Sequence, residues 1–161
     1  MANGPILLRE NRYHQIKAIL ARLRLDSSAR IVVLVDKDGQ QIAVHGELGD
    51  LDTTSLASLV AGNVAATGGI AQLLAEREFA GQFHEGEKTN VHISIVGARV
   101  ILVVLFDERS SLGLVRLRVR KAAAELTTVL DVMVRKSASG VGQPSVFSEI
   151  TDDDIDNLFN D

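Results

Sequence analysis

At 161 residues, 46% of them hydrophobic, the chain is long enough for one globular domain with a sizeable core. Five Phe, one Tyr and no Trp make that core aliphatic, and the absence of cysteine excludes disulfides and thiolate metal sites. The net charge of −4 is unevenly placed: residues 137–161 hold six acids and no base, which leaves residues 1–136 with 17 bases against 15 acids. No basic run interleaved with aromatics is present, so no nucleic-acid partner is expected. The apolar run 100–106 is too short to span a bilayer, and residues 6–8 are too short for a signal core. A soluble cytoplasmic protein without a membrane partner is expected.

In chain order, residues 5–25 place Ile16, Ile19, Leu20 and Leu23 at helical spacing, in a helix ending near Asp26 and Ser27. This helix is basic, with Arg9, Arg12, Lys17, Arg22 and Arg24. Residues 30–35 are a β-branched strand, Asp36-Lys37-Asp38-Gly39 a turn, and residues 41–44 the returning strand of a hairpin.

Residues 52–74, DTTSLASLVAGNVAATGGIAQLL, carry the strongest signal. Asp52, Thr53 or Ser55 can cap a helix here. At about 100° per residue, Leu56, Leu59, Val60, Ile70 and Leu74 are expected on one apolar stripe. Ser58, Ala61, Gly62, Ala65, Gly68, Gly69 and Gln72 form a face nearly stripped of side chains. Three glycines inside a helix each cost about 0.5–1 kcal/mol relative to Ala. Such a face suits close approach, either of another element of the same domain or of a partner.

Residues 78–88 are turn-rich, with a short edge strand at 82–85. Residues 91–96 alternate apolar and polar, Gly97-Ala98 turns the chain, and residues 99–106 are apolar almost throughout, as in a strand covered on both faces. Ser110 or Ser111 caps a last helix reaching about Lys136, with the apolar line Leu112, Val115, Val119, Ala123, Leu126, Leu130 and Met133. Its cluster Arg116, Arg118, Arg120 and Lys121 is either a solvated face or a site for an acidic segment. The result is an α+β domain over residues 1–136, with five antiparallel strands and helices on one or both faces.

Residues 137–148 read as a Ser/Gly-rich linker. In the acidic segment 149–161, Thr151 and Asp154 form a variant capping box, and Ile155, Leu158 and Phe159 share one side of a short helix. Alone it is too short to hold a helix, so it either folds on a partner's groove or serves as a solubilising tail.

Chemistry of its own is not expected. There is no P-loop, no strand-turn-helix dinucleotide fingerprint and no nucleophile elbow. His14, His45, His84 and His92 are scattered and lack metal-ligand spacing. No catalytic residue, metal or cofactor is assigned. Arg77, Arg99 and Arg109 are each conceivable as an arginine finger for another enzyme, and nothing singles one out.

The order helix, hairpin, long helix, three strands, helix resembles the Roadblock (dynein light chain) domain. VVLVDKDGQ, DTTSLASLVAGNVAATGGIAQLL, QFHEG, SSLGLVRLR and the terminal DDDIDNLF look like the MglB-type regulators of bacterial gliding motility and polarity. The resemblance implies a Roadblock fold, α-ββ-α-βββ-α, and a homodimer in which strands pair and two long helices lie side by side. It implies binding to an MglA-type Ras-like GTPase and acceleration of its GTP hydrolysis, through reshaped switch regions rather than an inserted arginine. The contact falls on Ala65 and Gly69, with Ala61, Gly68 and Gln72 beside them. The tail, through Ile155, Leu158 and Phe159, is implied to touch the GTPase and favour nucleotide loading. Such a protein would sit in the cytoplasm, concentrated at a cell pole. A scaffold that binds without changing hydrolysis is the alternative.

Overall fold

The computed structural model describes residues 4–141, with side chains over 10–135. The expected linker and acidic segment, including Ile155, Leu158 and Phe159, lie almost wholly outside that range. The elements are α1 (Gly4–Ser27), β1 (Ile31–Asp36), β2 (Gln41–Gly46), α2 (Thr53–Leu73), β3 (Gly81–His84), β4 (Asn90–Val96), β5 (Val100–Phe106) and α3 (Leu112–Val141). The expected order holds throughout. α3 runs on past Lys136 to Val141, since no proline stands in its way before Pro144.

The five strands form one antiparallel sheet in the order β2-β1-β5-β4-β3. β5 lies at its centre and is buried along its whole length, which explains its unbroken apolar run. Period-2 alternation sends its side chains to two cores. Val32, Leu34, Val100, Leu102, Val104 and Phe106 meet α1 and α3. Ile31, Val33, Val35, Ile101, Val103 and Leu105 belong to the core under α2. Helices therefore cover both faces, α1 with α3 on one and α2 on the other.

Local chemistry fixes the turns. Asp36 Oδ1 accepts from the amides of Asp38 and Gln40, both at 2.9 Å, and Gly39 takes φ +95°. The β1–β2 register shifts between Leu34 and Val35, one step before this turn. In the β4–β5 hairpin, Gly97 and Ala98 both have positive φ, +60° and +59°, and the Arg99 amide closes on the Val96 carbonyl at 3.2 Å. That is the type I′ geometry that matches strand twist.

Candidate functional site

α2 begins at a side-chain cap. Asp52 Oδ1 accepts from the Ser55 amide at 3.0 Å, and Ser55 Oγ donates to Asp52 Oδ2 at 2.6 Å. These bonds hold the Asp52 carboxyl below its ordinary range, the Ser55 hydroxyl contributing most. The helix ends where Ala75 turns left-handed at φ +58° and the Glu76 amide reaches back to the Ala71 carbonyl at 2.9 Å.

α2 rests on the β1–β2 side of the sheet through Ala57, Val60 and Ala61, all buried, with Leu56 and Val64 half-buried beside them. This corrects the expected stripe. Leu56 and Val60 face the sheet, whereas Leu59, Ile70 and Leu74 turn outward at 73%, 52% and 62% exposure. The buried side of the helix is centred on Ala57, Val60, Ala61 and Val64, and at about 100° per residue Leu59 and Ile70 fall off its edge. Ala61 is corrected too. It packs over the hairpin turn, and a Cβ on Gly39 would stand 3.5 Å from its own.

The other expected contact residues stay at the surface. Ala65, Gly69 and Gln72 are exposed and Gly68 is half-buried. Ser58, Gly62, Ala65, Gly69 and Gln72 follow the i, i+4, i+7, i+11, i+14 rhythm of one helical stripe. Leu59, Ala66, Ile70 and Leu73 run parallel to it, with Leu73 at 87% exposure. The outer face of α2 is thus a smooth ridge flanked by an apolar row, and α2 carries no charged residue at all. A Cβ added at Gly62, Gly68 or Gly69 would meet nothing within 4 Å. Among the described residues none uses the space those glycines leave open.

By length and composition α2 is also apolar enough to cross a membrane. The core it closes over β1 argues for a surface helix instead, since a spanning helix would leave Val33 and Val35 uncovered.

The remaining candidates lie elsewhere. Arg99 pairs with Asp131 at 3.5 Å, and Arg109 holds Asp107 at 3.1 Å and Glu47 at 3.9 Å. Arg77 is exposed just beyond α2. His92 points into the α3 core, where burial first and the Arg116 guanidinium second push its imidazole below the ordinary value. Its Nδ1 is buried without a hydrogen-bond partner. Among the described residues no three of His, Asp and Glu converge on a metal position. What periodicity missed is the outward row Leu59, Ile70 and Leu73. The signal available was the complete lack of charge in α2, which marks both of its faces as apolar.

The Roadblock/LC7 domain pattern matches residues 15–106. The structure is similar to Myxococcus xanthus MglB at 55% identity and a TM-score of 0.73, covering 74% of this chain and 90% of that one. It is similar to the gliding protein MglB of Thermus thermophilus at 32% identity and TM-score 0.70, covering 73% and 90%. An MglB solved in a tetrameric arrangement gives 32% identity and TM-score 0.70 over 73% and 89%. No curated protein sequence matches.

Proposed function

The chain belongs to the Roadblock/LC7 family and to its MglB group, and from that membership we propose that it is a homodimeric activator of an MglA-type Ras-like GTPase. The observation that carries this reading is the outer face of α2, where three glycines remain although a Cβ at each would meet nothing. Their helical cost is about 0.5–1 kcal/mol each, and a body outside this chain that must come close to the helix backbone accounts for it.

Self-association disposes of the apolar row. Leu59, Ile70 and Leu73 exposed on a lone chain favour a second copy, and two α2 helices laid side by side double the smooth ridge into a plate. The GTPase settles on Ala65, Gly68, Gly69 and Gln72, whose short side chains let its switch loops approach. Arg99 and Arg109 are engaged in ion pairs within their own chain, which takes two of the three candidate arginines out of play as inserted fingers. The dimer then acts by population shift, binding the hydrolysis-competent arrangement of the switches more tightly than the resting one. A 100-fold acceleration requires about 2.7 kcal/mol of such preference, within reach of a modest interface. The process served is gliding motility and polarity, in the cytoplasm with enrichment at a pole, and the tail promotes nucleotide exchange.

Phosphate release from a GTP-loaded MglA-type GTPase, timed with and without this protein, tests the reading. Acceleration supports activation. Complex formation with an unchanged rate would identify a scaffold instead.

A further inference from the structure

The layer opposite α2 is charged on a different plan. α1 carries five Lys or Arg against two acids and α3 six against two, a surplus of seven cations in a chain of net charge −4. Ile16, Leu20 and Leu23 of α1 and Val115, Val119 and Leu126 of α3 face the sheet, so the cations between Arg12 and Arg135 occupy the flanks and the outer surface. Some are engaged: Lys17 donates to the Val44 carbonyl at 3.0 Å, Arg24 meets Glu47 at 3.4 Å and Arg22 meets Glu125 at 3.5 Å. Among the described residues Arg116, Arg118, Arg120 and Lys121 have no ion pair. Arg118 Nε is out of water and lacks an acceptor.

Between the two helices runs a shallow groove. Ile19, Leu23 and Ala122 form its apolar floor, and Arg118 and Lys121 stand on its rim with Asp26 and the Arg22–Glu125 pair. The remainder of the chain is its chemical complement. Beyond Val141 come six acids and no base, with Ile155, Leu158 and Phe159 as apolar side chains. Twenty residues of α3 separate Lys121 from Val141, about 30 Å of helix. The fourteen residues from Val141 to Ile155 reach up to about 46 Å, enough to return to the groove. A tether of that length keeps the segment at roughly millimolar concentration around its own domain.

We infer that residues 149–161 dock on the α1–α3 groove of their own chain when no other partner holds them. The acids lie against Arg118 and Lys121, above a floor that Ile19, Leu23 and Ala122 close. The segment then has a parked and a released state, and anything that competes for it must first displace it from this basic face. The inference does not depend on GTPase activation, and its test contains no GTPase.

The cysteine-free sequence allows a single nitroxide at Asp161→Cys in the full-length protein, and paramagnetic broadening of backbone amide signals reads where the segment resides. The expected result is broadening centred on Leu23 and Ala122. It should be lost in about 0.5 M NaCl, where screening falls to a few ångströms, and lost in the Arg118→Glu, Lys121→Glu double variant. The salt arm reads the same contact if the double variant fails to fold. Broadening over α2, broadening spread evenly, or broadening indifferent to salt overturns the inference. Co-sedimentation of the full-length chain with phosphatidylserine vesicles would make the face a lipid surface and overturn it as well.

Discussion

Gly39, at the tip of the first hairpin, lies beneath Ala61 of α2, so that a Cβ on Gly39 would stand 3.5 Å from the Ala61 Cβ and 3.3 Å from the Ser58 Cα. Turn and helix are therefore fitted to one another at the point where α2 is placed on the sheet. The Asp36 carboxylate holds the turn from inside, and the Lys37–Glu78 pair at 3.3 Å ties the same turn to the chain beyond α2. Exposed on both sides, that pair adds little energy. The Gly39 contact sets the height of the helix, and with it the face the helix presents.

Gly39→Ala is accordingly expected to destabilise the chain by about 1–3 kcal/mol, through both its φ of +95° and the approach to the α2 backbone. Urea unfolding checks this, with Gly113→Ala as the control. Gly113 lies in the first turn of α3 and faces open space, so its substitution should be neutral or slightly stabilising.

Gly69→Ala should act in the opposite direction, raising stability by about 0.5–1 kcal/mol because it removes a helical glycine and meets none of the described residues. Urea unfolding of the variant reads the gain directly. A loss of stability would mean that the face is packed closely within the assembly itself.

The β4–β5 turn places a non-glycine residue, Ala98, at φ +59°. Ala98→Gly should relieve that strain and stabilise the chain by about 0.5–1 kcal/mol. A rise in the urea midpoint without a change in slope is the expected signature.

His92 and, less deeply, His45 have imidazoles pushed below the ordinary value of 6.5, in each case by burial first, with Arg116 beside His92 and Arg24 and Lys17 beside His45. A lowered histidine binds its proton more readily in the unfolded chain. Its contribution is complete above the unfolded value and is lost as pH falls from about 6.5 through the folded one. Stability should therefore decline below about pH 6.5. His92→Phe, which also removes the unpartnered Nδ1, should flatten the decline, leaving the part due to His45. Urea midpoints measured between about pH 7 and pH 5 decide this.

Periodicity and turn chemistry made the order of elements readable in the sequence. The DG pair, the Gly97-Ala98 turn, the cap at Asp52 and the unbroken run of β5 each appear where local rules place them. The orientation of α2 was harder to read. With no charge in the helix, Leu56 and Val60 could not be told from Leu59 and Ile70 by hydropathy, and burial of Ala61 depends on a hairpin tip 22 residues earlier in the chain, at Gly39. The Arg99–Asp131 and Arg109–Glu47 pairs join residues far apart in the chain, which no local pattern records, whereas the closer Arg109–Asp107 pair spans only two residues. Ala65, Gly69 and Gln72 were legible as a stripe because they share one helix and need only its period.

The most direct measurement is GTP hydrolysis by an MglA-type GTPase in the presence of Gly69→Arg. The substitution adds a long charged side chain to open space on α2, so the protein should keep its circular dichroism spectrum and its mass in solution while stimulation of phosphate release disappears. A folded Gly69→Arg protein that stimulates as well as the parent would contradict the assignment of the α2 ridge as the surface on which the GTPase lands.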